Sequence, residues 1–124
     1  AVFSISEQPV QLDIDMEPLV LSARKALHLG LMVNEIATNA VKHGFPGVKE
    51  PYFRVQAAYS PDENRFLLTL FNNGAPFPQD IALDNPETLG LRLICTLMEQ
   101  LEGEVELVRT PHPVFTLRFP GDEL

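Results

Sequence analysis

One helical stretch constrains this chain more than any other feature. Leu29, Met32, Val33, Ile36, Ala37 and Ala40 recur at three- and four-residue steps, the spacing that gathers side chains on one face of an α-helix. A helix with a single apolar stripe must lay that stripe on a second layer. The pattern follows Pro18 and stops at Gly44-Phe45-Pro46-Gly47, a cluster that breaks helices. The next segments supply the second layer. Phe53 to Tyr59 and Phe66 to Phe71 carry strand-like apolar patterning, split by Ser60-Pro61-Asp62-Glu63-Asn64, good chemistry for a hairpin loop.

The remaining elements follow by the same reasoning. Val2 to Ile5 and Val10 to Ile14 read as opening strands. Asn72 to Pro86 carries Gly74, Pro76, Pro78 and Pro86 and reads as a loop. A second helix is expected over Leu89 to Leu101, with Leu93, Ile94, Leu97, Met98 and Leu101 on one face and Gly103 as its C-cap. Glu104 to Val108 and Val114 to Phe119 read as the last two strands. This order predicts an α+β two-layer sandwich, with helices on one face of a mixed, mostly antiparallel sheet. At 124 residues, 1–124 is expected to be one domain with its own core. The chain begins with Ala1 rather than Met, so it is expected to be a fragment of something longer.

Charge and cysteine usage exclude several functions. Lys and Arg number 9 against 17 Asp and Glu, a net charge of −8. Such a surface repels phosphate backbones, so no nucleic-acid partner is expected. One small anionic ligand in a prepared pocket remains compatible with it. The single cysteine, Cys95, rules out a disulfide framework and a cysteine-rich zinc site, and fits a reducing cytoplasm. It reads as a small core residue, and Met32 and Met98 as core fillers. No apolar run is long enough to span a bilayer, and no direct membrane contact is expected. His28, His43 and His112 show no metal-ligand spacing among themselves.

The chemistry concentrates on the first helix. Glu35, Asn39 and Lys42 are spaced four and three apart, which places them within roughly 60° of one another at helical pitch. A carboxylate, an amide and an ammonium in line offer a base, a neutral oxygen ligand for Mg²⁺ and a phosphate contact. A solvated helix face with a Glu–Lys neighbour pair has the same spacing, and His43 at a helix end has the dipole as an alternative partner. Asn72-Asn73-Gly74 after a strand and Thr88-Leu89-Gly90-Leu91 at a helix start add a turn and a place where phosphate can approach backbone N–H groups.

Together these segments resemble a known family. Leu29 to Pro46, read as L-G-L-M-V-N-E-I-A-T-N-A-V-K-H-G-F-P, is similar to the asparagine box of Bergerat-fold (GHKL) ATPases. More narrowly, it resembles the branch of sensor histidine kinases whose box reads N-E-x-x-x-N-A-x-K-H. Thr88 to Ile94, Gln100 to Gly103 and Phe115 to Pro120 match that branch in order. The resemblance implies an ATP-binding catalytic domain of a two-component sensor histidine kinase. Such a domain transfers the γ-phosphoryl group of Mg-ATP to a histidine on a separate dimerisation domain, and a response regulator receives it next. It implies that Asn39 ligates Mg²⁺, that Lys42 contacts phosphate and that His43 lies near adenine or ribose. It places Glu35 as the catalytic carboxylate, Gly90 and Leu91 at the phosphates, and a short lid between Pro78 and Leu89.

Three departures from the family pattern accompany this. The first glycine box, D-x-G-x-G in the family, is here Asn72-Asn73-Gly74-Ala75-Pro76. Asn72 therefore replaces the carboxylate that accepts from the adenine amino group, and Pro76 replaces a glycine, removing an N–H. Thr110-Pro111-His112-Pro113 stands where the family has a Gly-Thr pair. These changes leave an alternative: a degenerate, non-catalytic Bergerat-fold module that binds a response regulator or neighbouring domain. An anti-sigma-factor serine kinase shares the box, but Gly44-Phe45-Pro46 and the Phe-Thr-Leu-Arg-Phe-Pro ending favour the histidine kinase branch.

Overall fold

The computed structural model describes residues 9–79 and 89–121. The expected strand Val2 to Ile5 and the lid over 80–88 lie outside the described residues. Among the described residues the elements run β1 (Gln11–Met16), α1 (Ala23–Asn39), β2 (Tyr52–Ser60), β3 (Arg65–Asn72), α2 (Leu89–Gln100), β4 (Glu104–Val108) and β5 (Val114–Pro120). Helix α1 begins at Ala23, four residues beyond Leu19, because the Ser22 side chain accepts from the Lys25 N–H at 3.3 Å and caps the first turn.

The sheet has five strands in the order β1-β2-β3-β5-β4. The β1–β2 pair is parallel, with Gln11 opposite Tyr52 and Met16 opposite Ala57; the other three pairs are antiparallel. A parallel pair needs a crossover connection, and α1 is that connection. Strict alternation in β3 and β5 turns Phe66, Leu68, Leu70, Phe115, Leu117 and Phe119 to one face. Met32, Ile36, Ala37 and Ala40 of the α1 segment and Leu91, Ile94, Leu97 and Met98 of α2 bury against that face. Each large side chain sealed there contributes about 1.5–3 kcal/mol. The α+β sandwich, with helices on one face of a mostly antiparallel sheet, is therefore the fold.

Both helix ends differ from the sequence reading in detail. After Asn39 the chain makes one π-helical turn, Ala40–Gly44, closed by the Phe45 N–H donating to the Ala40 carbonyl at 2.8 Å. The end of α2 is a Schellman motif: Gly103 N–H donates to Met98 O and Glu102 N–H to Glu99 O. The left-handed residue of that motif is Glu102, at φ 57°. Gly103 follows it and is small for a different reason: a Cβ there would lie 2.3 Å from the Arg118 carbonyl oxygen of β5.

Candidate functional site

Three chain segments converge beside the buried core. The π turn after α1, the inward end of β3 and the first turn of α2 enclose a cavity of about 230 Å³. Asn39 lines it from the end of α1, His43 from the π turn, Asn72 from β3 and Leu91 from α2, with Ile36, Phe77, Phe115 and prolines 76, 78 and 113 completing an apolar wall. Whole-ligand clefts run to roughly 300–1,000 Å³, so this hollow matches a flat ring system rather than an entire nucleotide. Phe77 meets Phe115 edge-on, with ring centres 5.8 Å apart.

Asn72 is the buried polar side chain of the described core, at 4% exposure. It is the last residue of β3, and the alternation that buries Phe66, Leu68 and Leu70 carries it inward as well. Its Oδ1 accepts from the Gly74 N–H at 2.9 Å. Gly74 is pressed against the end of the first helical segment: a Cβ there would sit 2.6 Å from both the C and O atoms of Gly44, and Ala75 N–H donates to that same carbonyl at 2.9 Å. Gly74 thus holds the cavity wall from behind and does not line the cavity itself. Asn73 turns away: its Oδ1 accepts from Tyr52 N–H at 2.8 Å and its Nδ2 donates to Glu50 O at 3.0 Å.

The remaining residues of the expected stripe separate. Glu35 is half-buried on α1, outside the cavity lining, and its Oε2 lies 2.6 Å from where a Cβ on Gly90 would stand. Gly90 therefore lets the start of α2 close onto the Glu35 carboxylate. Lys42 is exposed and does not line the cavity. A π turn uses more residues per revolution than an α turn, so Lys42 falls out of phase with Glu35 and Asn39. His43 takes the position beside Asn39.

Sequence reasoning missed the braces behind the cavity. His112 Nδ1 lies 2.8 Å from Gly74 O and its ring meets Phe71 edge-on. Phe77 N–H donates to Arg109 O at 3.0 Å, while the Arg109 guanidinium covers the Phe77 ring at 5.5 Å. The turn that departs from the family pattern is thus tied to the loop that also departs from it. The cluster of prolines and aromatics at 76–78 and 111–115 was the available signal. Among the described residues no three His, Cys, Asp or Glu side chains gather as a metal cage. A magnesium ion held by substrate phosphates needs only one or two protein oxygens, and the Asn39 amide at the cavity wall fits that chemistry. Among those residues no helix is long and apolar enough to cross a membrane.

This sandwich, with an asparagine-bearing helix over a ring-sized cavity, is the architecture of an ATP-binding domain. The profile of the histidine kinase-like ATPase domain family matches residues 16–111, and the chain belongs to that family, whose fold is the Bergerat (GHKL) sandwich. Among curated relatives, Blue-light-activated histidine kinase 2 of Erythrobacter litoralis is 23% identical over 100 residues, covering 81% of this chain and 29% of the relative. Sensor histidine kinase PdtaS of Mycobacterium tuberculosis is 26% identical over 102 residues, covering 80% and 20%. This chain thus spans under a third of either relative's length. The solved histidine kinase domain of the Erythrobacter litoralis blue-light-activated kinase superimposes with a TM-score of 0.86 at 20% identity, covering 96% of this chain and 55% of that one.

Proposed function

We propose that this domain binds Mg-ATP and delivers its γ-phosphoryl group to a histidine on a separate dimerisation domain, within a cytoplasmic two-component sensor kinase whose response regulator accepts the phosphoryl next. The observation that carries the reading is the convergence of Asn39, His43 and Asn72 on one ring-sized cavity, with the Glu35 carboxylate packed against Gly90 at the start of α2. The base enters the cavity, and the His43 ring stands at its mouth beside the ribose. Asn39 offers its oxygen to magnesium, and the long exposed Lys42 side chain reaches toward phosphate. Bound Mg-ATP supplies the transferable phosphoryl group. The protein's own work is positioning and charge stabilisation, with Glu35 orienting the incoming histidine and taking its ring proton.

A second reading has one specific observation in its favour. Pro76 lines the cavity and brings no N–H to the site, as expected of a module that has turned from catalysis to docking a regulator. The two readings separate in one assay. Mixed with the histidine-bearing dimerisation domain and labelled ATP, the chain is expected to label that histidine, and alone to label nothing. Glu35→Gln should slow labelling at least tenfold while leaving ATP affinity within about twofold, the pattern of a group acting on the transition state. No labelling in trans, together with a regulator complex indifferent to ATP, would establish the docking module.

A further inference from the structure

The turn at 109–113 fastens one wall of the cavity from outside. The wall segment 74–78 lies in neither helix nor strand, so its backbone groups have no ladder to pair with and need other partners. Pro76 and Pro78 have no N–H to offer. The N–H groups that remain are all taken: Gly74 donates to Asn72 Oδ1 at 2.9 Å, Ala75 to Gly44 O at 2.9 Å and Phe77 to Arg109 O at 3.0 Å. On the acceptor side, His112 Nδ1 lies 2.8 Å from Gly74 O, and the Arg109 guanidinium donates to Pro78 O. A carbonyl only accepts, so His112 Nδ1 carries the proton. Arg109 also covers the Phe77 ring at 5.5 Å, and that ring meets Phe115 edge-on. These two side chains thus hold both ends of the segment. Neither lines the cavity, whereas Ala75, Pro76, Phe77 and Pro78 do.

We propose that Arg109 and His112 are positioning residues for the nucleotide, an inference that rests on the nucleotide reading above. They keep the 74–78 wall in its ligand-ready place, so that ATP affinity depends on two side chains outside the cavity lining. A wall held in place beforehand spares the ligand the cost of ordering it. Where only a fraction of the molecules has the wall in place, apparent affinity falls by that fraction. The arrangement also joins two departures from the family pattern. His112 stands in Thr110-Pro111-His112-Pro113, and the wall opens within Asn72-Asn73-Gly74-Ala75-Pro76. Prolines strip the wall of N–H groups that could anchor it, and the neighbouring turn supplies side-chain donors to its carbonyls instead.

His112→Ala and His112→Asn separate this role from simple packing. Both lose the edge-on contact with Phe71, but the asparagine amide nitrogen is bonded to Cγ as histidine Nδ1 is, and can still donate to Gly74 O. Calorimetric titration with Mg-ATP is expected to show about fivefold weaker binding in His112→Ala and near-wild-type binding in His112→Asn. Without nucleotide, amide hydrogen exchange at Ala75 and Phe77 should quicken in His112→Ala and recover in His112→Asn, with Leu68 and Leu70 of β3 unchanged. Arg109→Met keeps an apolar stem over the Phe77 ring but loses the donor to Pro78, and should weaken binding likewise; it decides the matter if His112→Ala does not fold. Wild-type affinity in His112→Ala, or an asparagine variant as weak as alanine, overturns the proposal and leaves the nucleotide reading standing. A wild type that binds no Mg-ATP overturns the nucleotide reading and this role with it, while the exchange rates still show whether His112 holds the wall.

Discussion

Cys95 and Asn72 show how little of a side chain's role is written in its type. Cys95 lies on α2, where burial first and the nearby Glu99 charge second push its thiol above the usual range. The folded state thus favours the protonated thiol. The stability linked to this is present below the unfolded chain's thiol pKa and is lost as the pH rises through the higher folded value. Since the thiolate is the reactive form, alkylation by iodoacetamide at pH 8 should run several-fold slower in the folded domain than in urea, with its rate rising only at more alkaline pH. Equal rates in both states would refute the burial account. Tyr52 is raised as well, chiefly because its hydroxyl donates to Asp13 at 2.7 Å. For Asn72, the sequence shows an amide where a carboxylate is usual. That its oxygen is spent on Gly74 depends on a backbone approach that no residue type announces.

Glycines at the element boundaries divide into two kinds, and the division is testable. At Gly74 an added Cβ would meet backbone, the C and O atoms of Gly44 at 2.6 Å, so the helix end and the loop would have to part. At Gly90 the obstacle is the far end of the Glu35 side chain, which can swing aside. Gly74→Ala is expected to cost about 1–3 kcal/mol and to lower the melting temperature by several degrees. Gly90→Ala should change the melting temperature by less than half as much yet displace Glu35 and slow histidine labelling. Equal destabilisation by the two would contradict the described packing. At this scale the sequence was generous with strands and helix bodies and poor at their ends. Phe66, Leu68 and Leu70 announce β3 by alternation, but the same alternation continues to Asn72, which reads as a loop residue because Gly74 and the prolines follow. The π turn at Ala40–Gly44 has no residue signature at all: alanine, valine and lysine fit an α turn equally well. It is what separates Lys42 from Asn39.

For the whole molecule, the two-layer architecture follows from amphipathic helices and half-apolar strands that can only bury one another. The parallel β1–β2 pairing does not follow from composition, since Val10 to Ile14 would alternate the same way in either direction; the α1 crossover settles it. The chain's net charge of −8 predicts that an anionic triphosphate binds it better with magnesium, because unneutralised phosphate would approach a surface of its own sign. That dependence joins the fold, the Asn39 amide and the proposed activity in a single quantity. The most direct test is calorimetric titration of the chain with ATP, with and without magnesium, in the wild type and in Asn39→Ala. One saturable site is expected, at least fivefold tighter with magnesium, with that difference gone in Asn39→Ala while its melting temperature stays within about two degrees of the wild type. No saturable heat with Mg-ATP up to millimolar concentration would contradict the account.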